Sequence, residues 1–73
     1  MTVKIYRGFT ITVSRDTETR EIDYVIVRPS DQWVLSEDYD FESVVDAWDE
    51  CKAIVDDYWE DPEGYGDPEM EDK

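Results

Sequence analysis

The 73-residue chain has no histidine, one cysteine, three glycines and three prolines. Without histidine, the side chain most used for proton transfer near neutral pH is missing, and the lone Cys51 cannot close an intramolecular disulfide. One cysteine and no histidine cannot assemble a cysteine–histidine zinc set. No basic leader precedes an apolar run, and no apolar stretch reaches the roughly 20 residues of a membrane span, so neither a signal peptide nor a membrane helix is expected. These absences point to a reducing, cytoplasmic setting, with no membrane partner and no cofactor. A chain this short has room for one small core and none for a large cofactor cavity.

Positive charge is scarce as well. Seven Lys and Arg stand against 21 Asp and Glu, giving a net charge of −14. Residues 1–35 carry five acids and five bases, so the whole excess lies in residues 36–73, where sixteen acids meet only Lys52 and Lys73. An acidic coat serving solubility alone would be spread over every exposed face; this asymmetry suggests a localised electrostatic feature. Direct binding to nucleic acid or to an anionic membrane is disfavoured, because phosphate would be repelled. Hydrophobic content of 40%, with 14% aromatic, nonetheless supplies enough apolar material to fold.

At the N-terminus the odd positions Val3, Ile5, Phe9, Ile11 and Val13 are apolar and the intervening ones mostly polar. Period two predicts one long strand, or two collinear pieces bent near Gly8. The polar stretch at residues 16–19 reads as a hairpin turn into a β-branched run from Ile22 to Val27, and Pro29-Ser30-Asp31 as a second turn into a short strand over 32–36. A start signal follows, with Ser43 capping, Asp46 three residues on and Phe41 packing back upstream. Over the predicted helix, Val44, Ala47, Trp48, Cys51, Ile54, Val55, Tyr58 and Trp59 share an arc of roughly 140°. Pro62 and Gly64 end it. The expected fold is α+β: a three-stranded antiparallel meander covered by one helix (β-β-β-α) over residues 1–61, then a flexible acidic tail over 62–73.

Tyr6-Arg7-Gly8-Phe9-Thr10-Ile11, Phe41-Glu42-Ser43 and Ala53-Ile54-Val55-Asp56-Asp57-Tyr58 resemble a common type of small bacteriophage-encoded β-β-β-α protein over about residues 5–59. The resemblance implies that fold and a phage origin. It carries no functional residue across, since such proteins have diverse roles, anti-defence inhibition among them.

No catalytic constellation is visible, and Cys51 at the centre of the apolar arc reads as a small buried hydrophobe, so the chain is not expected to be an enzyme. Asp61-Pro62-Glu63 and Asp67-Pro68-Glu69 form a short acidic repeat, but its spacing fits no EF-hand loop and proline restricts wrapping around an ion; no metal site is assigned. The arc opposite the core face holds Asp46, Asp49, Glu50, Ala53, Asp56, Asp57 and Glu60. Acids four apart repel, and acids in the last turns oppose the helix dipole, at a combined cost of about 1–3 kcal/mol. Mixed charge would avoid that cost, so the departure marks a candidate function. From Asp46 to Glu60 is about 21 Å of helix, and one DNA strand places about six phosphates over that length. The candidate partner-binding residues are therefore Asp46, Asp49, Glu50, Asp56, Asp57 and Glu60, extended by Asp61 and Glu63. Trp59, Tyr65 and Met70 are candidate apolar anchors. The expected partner is a basic nucleic-acid-binding protein of the host, met by a monomer or weak homodimer of this chain. The alternative is a general protein-interaction domain whose acids serve solubility.

Overall fold

The computed structural model describes residues 1–66, and its first departure from expectation lies at Arg7-Gly8. Both residues have positive φ, 50° and 90°. That is the backbone of a two-residue hairpin turn, so the N-terminal alternation is two antiparallel strands, β1 (Thr2–Tyr6) and β2 (Phe9–Arg15), rather than one long strand or two collinear pieces. Glycine meets the requirement at the second turn position, and a side chain there would be strained whatever the space around it. The sheet then continues through β3 (Ile22–Arg28) and β4 (Trp33–Phe41) in the order β1-β2-β3-β4. The meander has four strands, not three.

The turn reverses parity. Register pairs Lys4 with Ile11 and Tyr6 with Phe9, whereas Val3 pairs with Thr12 and Ile5 with Thr10. Directly paired residues share a face. Lys4 and Tyr6 therefore lie on the core side with Phe9, Ile11 and Val13, and Val3 and Ile5 stand on the outer side, 56% and 75% exposed. Lys4 is accommodated because its stem crosses apolar surface and its ammonium sits 5.0 Å from the centroid of the Trp48 ring.

The loop between β2 and β3 is tied by Asp16, whose carboxylate accepts from the Glu18 and Thr19 N–H groups and is thereby held below the usual aspartate range. Between β3 and β4, Gln32 N–H bonds back to the Arg28 carbonyl, with Gln32 at positive φ. β4 is longer than expected, running on to Phe41 through Glu37, Asp38, Tyr39 and Asp40. Pairing with β3 overrides the poor strand propensity of these acids, which cost little on a solvated edge. Two register shifts leave extra residues on β4 opposite Ile22/Tyr24 and Ile26/Val27, and at the second of them Leu35 is buried.

Helix α1 (Val44–Glu60) lies across one face of the sheet, with Ser43 as its N-cap accepting from the Asp46 N–H, as the start signal predicts. Ala47, Cys51, Val55 and Tyr58 are buried against Phe9, Ile11, Val13, Ile22, Tyr24, Ile26 and Leu35, and Phe41 packs on Tyr24. Trp59, placed in the core arc by periodicity, is a rim residue instead, 45% exposed with its indole N–H donated to the Arg7 carbonyl. Burial pushes the Cys51 thiol up to about 12, with the Glu50 charge adding to the effect, so it stays protonated at neutral pH.

Residues 62–65 are not a flexible tail. Pro62–Tyr65 form a 3₁₀ helix capped by Asp61, with Gly66 closing it in a left-handed conformation. The Tyr65 ring packs on Tyr58 and its hydroxyl donates to Asp57 Oδ2 at 2.5 Å. The remainder of the expected tail, residues 67–73, lies outside the described residues.

Two stability measurements follow. Gly8→Ala is expected to cost about 1–2 kcal/mol, since an L-residue is forced into positive φ, seen in urea unfolding as a lower midpoint at unchanged slope. Tyr65→Ala should cost about 1–2 kcal/mol through loss of one ring contact and one hydrogen bond to a charged group; a midpoint equal to wild type would mean that the fold ends with α1.

Candidate functional site

At about 100° per residue, the six helix acids do not form one uniform row. Asp49 and Asp56 turn toward β1, and Asp46, Glu50 and Asp57 toward β4, with Glu60 between. The fold treats the two sides differently. On the β1 side, Arg7 Nη1 donates to Asp56 Oδ1 at 2.7 Å and the Tyr6 hydroxyl to the same oxygen at 2.9 Å. The Arg7 guanidinium, then the Tyr6 hydroxyl, hold the Asp56 carboxyl below the usual aspartate range, and Asp56 in turn raises Tyr6. Asp49 is 3.7 Å from Lys52 Nζ in an exposed pair. These two carboxylates are wholly or partly neutralised.

On the other side, Asp46, Glu50 and Asp57, together with Glu60 between the two sides, have no basic partner within ion-pair distance among the described residues. Asp57 accepts from Tyr65, a neutral donor that is pushed up to about 12 by that bond and leaves the carboxylate its charge. Beyond the helix, Asp61 accepts from the Gly64 N–H and Glu63 is exposed. Thus of the eight acids singled out in the sequence, Asp46, Glu50 and Glu60 are unengaged on α1 and Glu63 is exposed beyond it, Asp57 and Asp61 are fixed by neutral donors, Asp49 pairs with Lys52, and Asp56 is spent on Arg7. The repulsion inferred between Asp56 and Glu60 is relieved accordingly.

Sequence reasoning placed the start of β4 but missed its continuation through residues 37–41. Glu37, Asp38 and Asp40 are exposed along this edge strand, and Glu42 follows at its end. The link between strand and helix runs over Tyr24. Its hydroxyl lies 3.4 Å from Ser36 Oγ and is raised chiefly by burial, with the charges of Asp38 and Glu50 both contributing. Asp38 pairs directly with Tyr24 and so lies on the helix face of the sheet, with Glu37 and Asp40 exposed beside it along the edge. The signal was the acid run at 37–42, which strand propensity alone assigns to a loop.

Arg7, Arg28 and Lys52 each pair with an acid. Arg28 forms a two-point pair with Asp31, at 3.0 and 2.7 Å, and stacks 4.9 Å from the centroid of Trp33. Among the described residues, no group of three or more His, Cys, Asp or Glu is placed to hold a metal ion, and the Asp67-Pro68-Glu69 half of the acidic repeat lies outside them. Among the same residues no helix is long and apolar enough to cross a membrane.

Because the folded-state pKa of Asp56 is depressed, its pairing stabilises the fold above the ordinary aspartate value of about 3.9, and that contribution is lost as pH falls through the folded value. The stability difference between wild type and Asp56→Asn should be present at pH 7 and vanish in strong acid. A difference independent of pH, measured by thermal unfolding across that range, would show that the ion pair contributes nothing. Set against protein-family models, curated proteins and solved structures, the chain matches none of them.

Proposed function

We propose that this is a non-enzymatic acidic protein that occupies the nucleic-acid site of a basic host protein, its carboxylates standing in for phosphates. The observation that carries the reading is the set of un-neutralised carboxylates on the β4 side of α1, continued by those of the β4 edge. Asp46, Glu50, Asp57 and Glu60 are held on a helix whose opposite face is buried, so their spacing is set before a partner arrives and little order is lost on binding. Among the described residues Lys52 is the one base on the helix, and it lies on the β1 side. A groove lined by Lys and Arg to track a phosphate strand would meet charges of the same sign as phosphate, four on the helix where one DNA strand places about six over the same length, with the β4 acids beside them, and encounter would be steered at low salt.

The residues assigned to the contact are Asp46, Glu50, Asp57 and Glu60 on the helix, Asp61 and Glu63 beyond it, and Asp38 and Asp40 on the strand. Asp49 and Asp56 are at its margin. A phage-encoded inhibitor of a nucleic-acid-handling host factor, of anti-CRISPR or anti-restriction type, would need this surface and no catalytic centre.

The test is capture from a bacterial lysate by the full chain and by the triple variant Asp46→Lys, Glu50→Lys, Glu60→Lys. Nucleic-acid-binding proteins should be retained at about 0.05 M salt, released at about 0.5 M, and displaced by added duplex DNA. The triple variant should retain them at least tenfold less well, whereas Asp49→Lys should have a small effect. Retention indifferent to salt, to DNA and to the triple substitution would sink the reading.

A further inference from the structure

The two edges of the sheet are protected to different degrees. β4 carries Glu37, Asp38 and Asp40 and is distorted by its extra residues, both of which deter another strand from adding. β1 has neither defence. It pairs in unbroken register with β2 and is exposed along nearly its whole length. Its one charged residue, Lys4, is turned toward Trp48 and away from the outer face. Since Tyr6 and Phe9 flank a two-residue turn, the peptide groups of Tyr6, Lys4 and Thr2 bond to β2, and those of Val3 and Ile5 point out of the sheet edge. The outward donors and acceptors and the outward apolar side chains thus belong to the same residues.

We propose that β1 pairs with β1 of a second copy of this chain, antiparallel about a two-fold axis through Val3, so that the two sheets become one. Three observations select this occupant and register. In that register Val3 meets Val3 of the second copy and Ile5 meets Met1, just before the strand, so the exposed apolar side chains of Val3 (56%), Ile5 (75%) and Met1 (91%) cover one another on the outer face. Lys4 then faces Thr2 and not its own counterpart. An axis on Lys4 would set two ammonium groups opposite each other, and one on Ile5 would enlist Arg7, whose carbonyl is taken by Trp59 and whose backbone has left the strand. Charge points the same way. Residues 1–15 contain no acid in a chain of net −14, so the excess negative charge of each copy lies away from the β1 edge. The helix leaves room, because α1 packs over β2, β3 and β4, and between it and β1 lies an open groove of about 260 Å³ lined by Lys4, Tyr6, Val45 and Trp48 among others.

This association is independent of the phosphate-mimic reading and has the opposite salt dependence, since salt screens the repulsion between two acidic copies. Sedimentation of the full chain, with any tag at the C-terminus, should show a mass rising with concentration from 8.7 kDa toward twice that value, at lower concentrations in high salt than in low. Val3→Lys and Ile5→Lys should each keep the protein at 8.7 kDa with an unchanged circular dichroism spectrum, because neither residue is in the core. On oxidation, Val3→Cys should cross-link two copies, while Ile5→Cys, offset from its counterpart by about 13 Å, should not. A mass of 8.7 kDa at every concentration and salt would overturn the proposal. So would growth beyond two copies, a dimer indifferent to both lysine variants, or faster cross-linking through Ile5→Cys than through Val3→Cys.

Discussion

The two-residue reversal at Arg7-Gly8 is the constraint on which the rest of the molecule depends. A hairpin with two turn residues pairs odd positions of one strand with even positions of the next. Lys4 and Tyr6 are thereby delivered to the helix side and Val3 and Ile5 to the outer side. Three contacts between the N-terminal hairpin and α1 follow from that placement: Lys4 over Trp48, Tyr6 and Arg7 on Asp56, and the Trp59 indole on the Arg7 carbonyl. A collinear strand would put Lys4 in water, would carry Arg7 away from Asp56, and would leave α1 without a lateral anchor.

Those contacts also shape the electric field. The N-terminal hairpin carries bases and no acids, and its Arg7 neutralises Asp56 of α1, while Lys52 on the same flank pairs with Asp49. The other flank receives no such help, and β4 adds its own acids there. A helix that is acidic all over its exposed arc in sequence thus becomes one-sided in space. This is a stronger condition for recognition than net charge, because a partner is then oriented as well as attracted.

How much of this was legible follows from the local physics. The helix was readable in full, from the Ser43 cap to Glu60, because period, cap and stop signals agree there. The sheet was not. An alternation of apolar residues through residues 3–13 is compatible with a continuous strand and with a hairpin, and only the turn tells them apart. Arg7-Gly8 is a weak version of the usual Asn-Gly or Asp-Gly signal, since arginine at positive φ is held there by its tertiary partners Asp56 and Trp59. The end of β4 was hidden for the converse reason: its acids oppose strand formation locally, and pairing with β3 supplies what propensity lacks. Of the acidic site, the helix positions were legible, but their engagement depended on contacts some fifty residues away in sequence.

Tyr58 shows how so small a core sustains this surface. Its ring is within aromatic contact of Phe9, Trp33, Trp59 and Tyr65, joining β2, β4, the helix end and the 3₁₀ turn. Each such pair contributes about 0.5–1.5 kcal/mol beyond area burial, comparable to the cost of the unfavourable charges in the last helical turns. The aromatic cluster lies where those charges are densest, beneath Asp57, Glu60 and Asp61. Anchoring of this kind lets the carboxylates stay un-neutralised without fraying the helix that presents them. A two-fold at Val3 would preserve the arrangement twice over. Both helices would lie on the same side of the joined sheet, running antiparallel and, each centred over its own β3, separated by about five strand spacings, roughly 24 Å, each with its un-neutralised flank turned away from the joint.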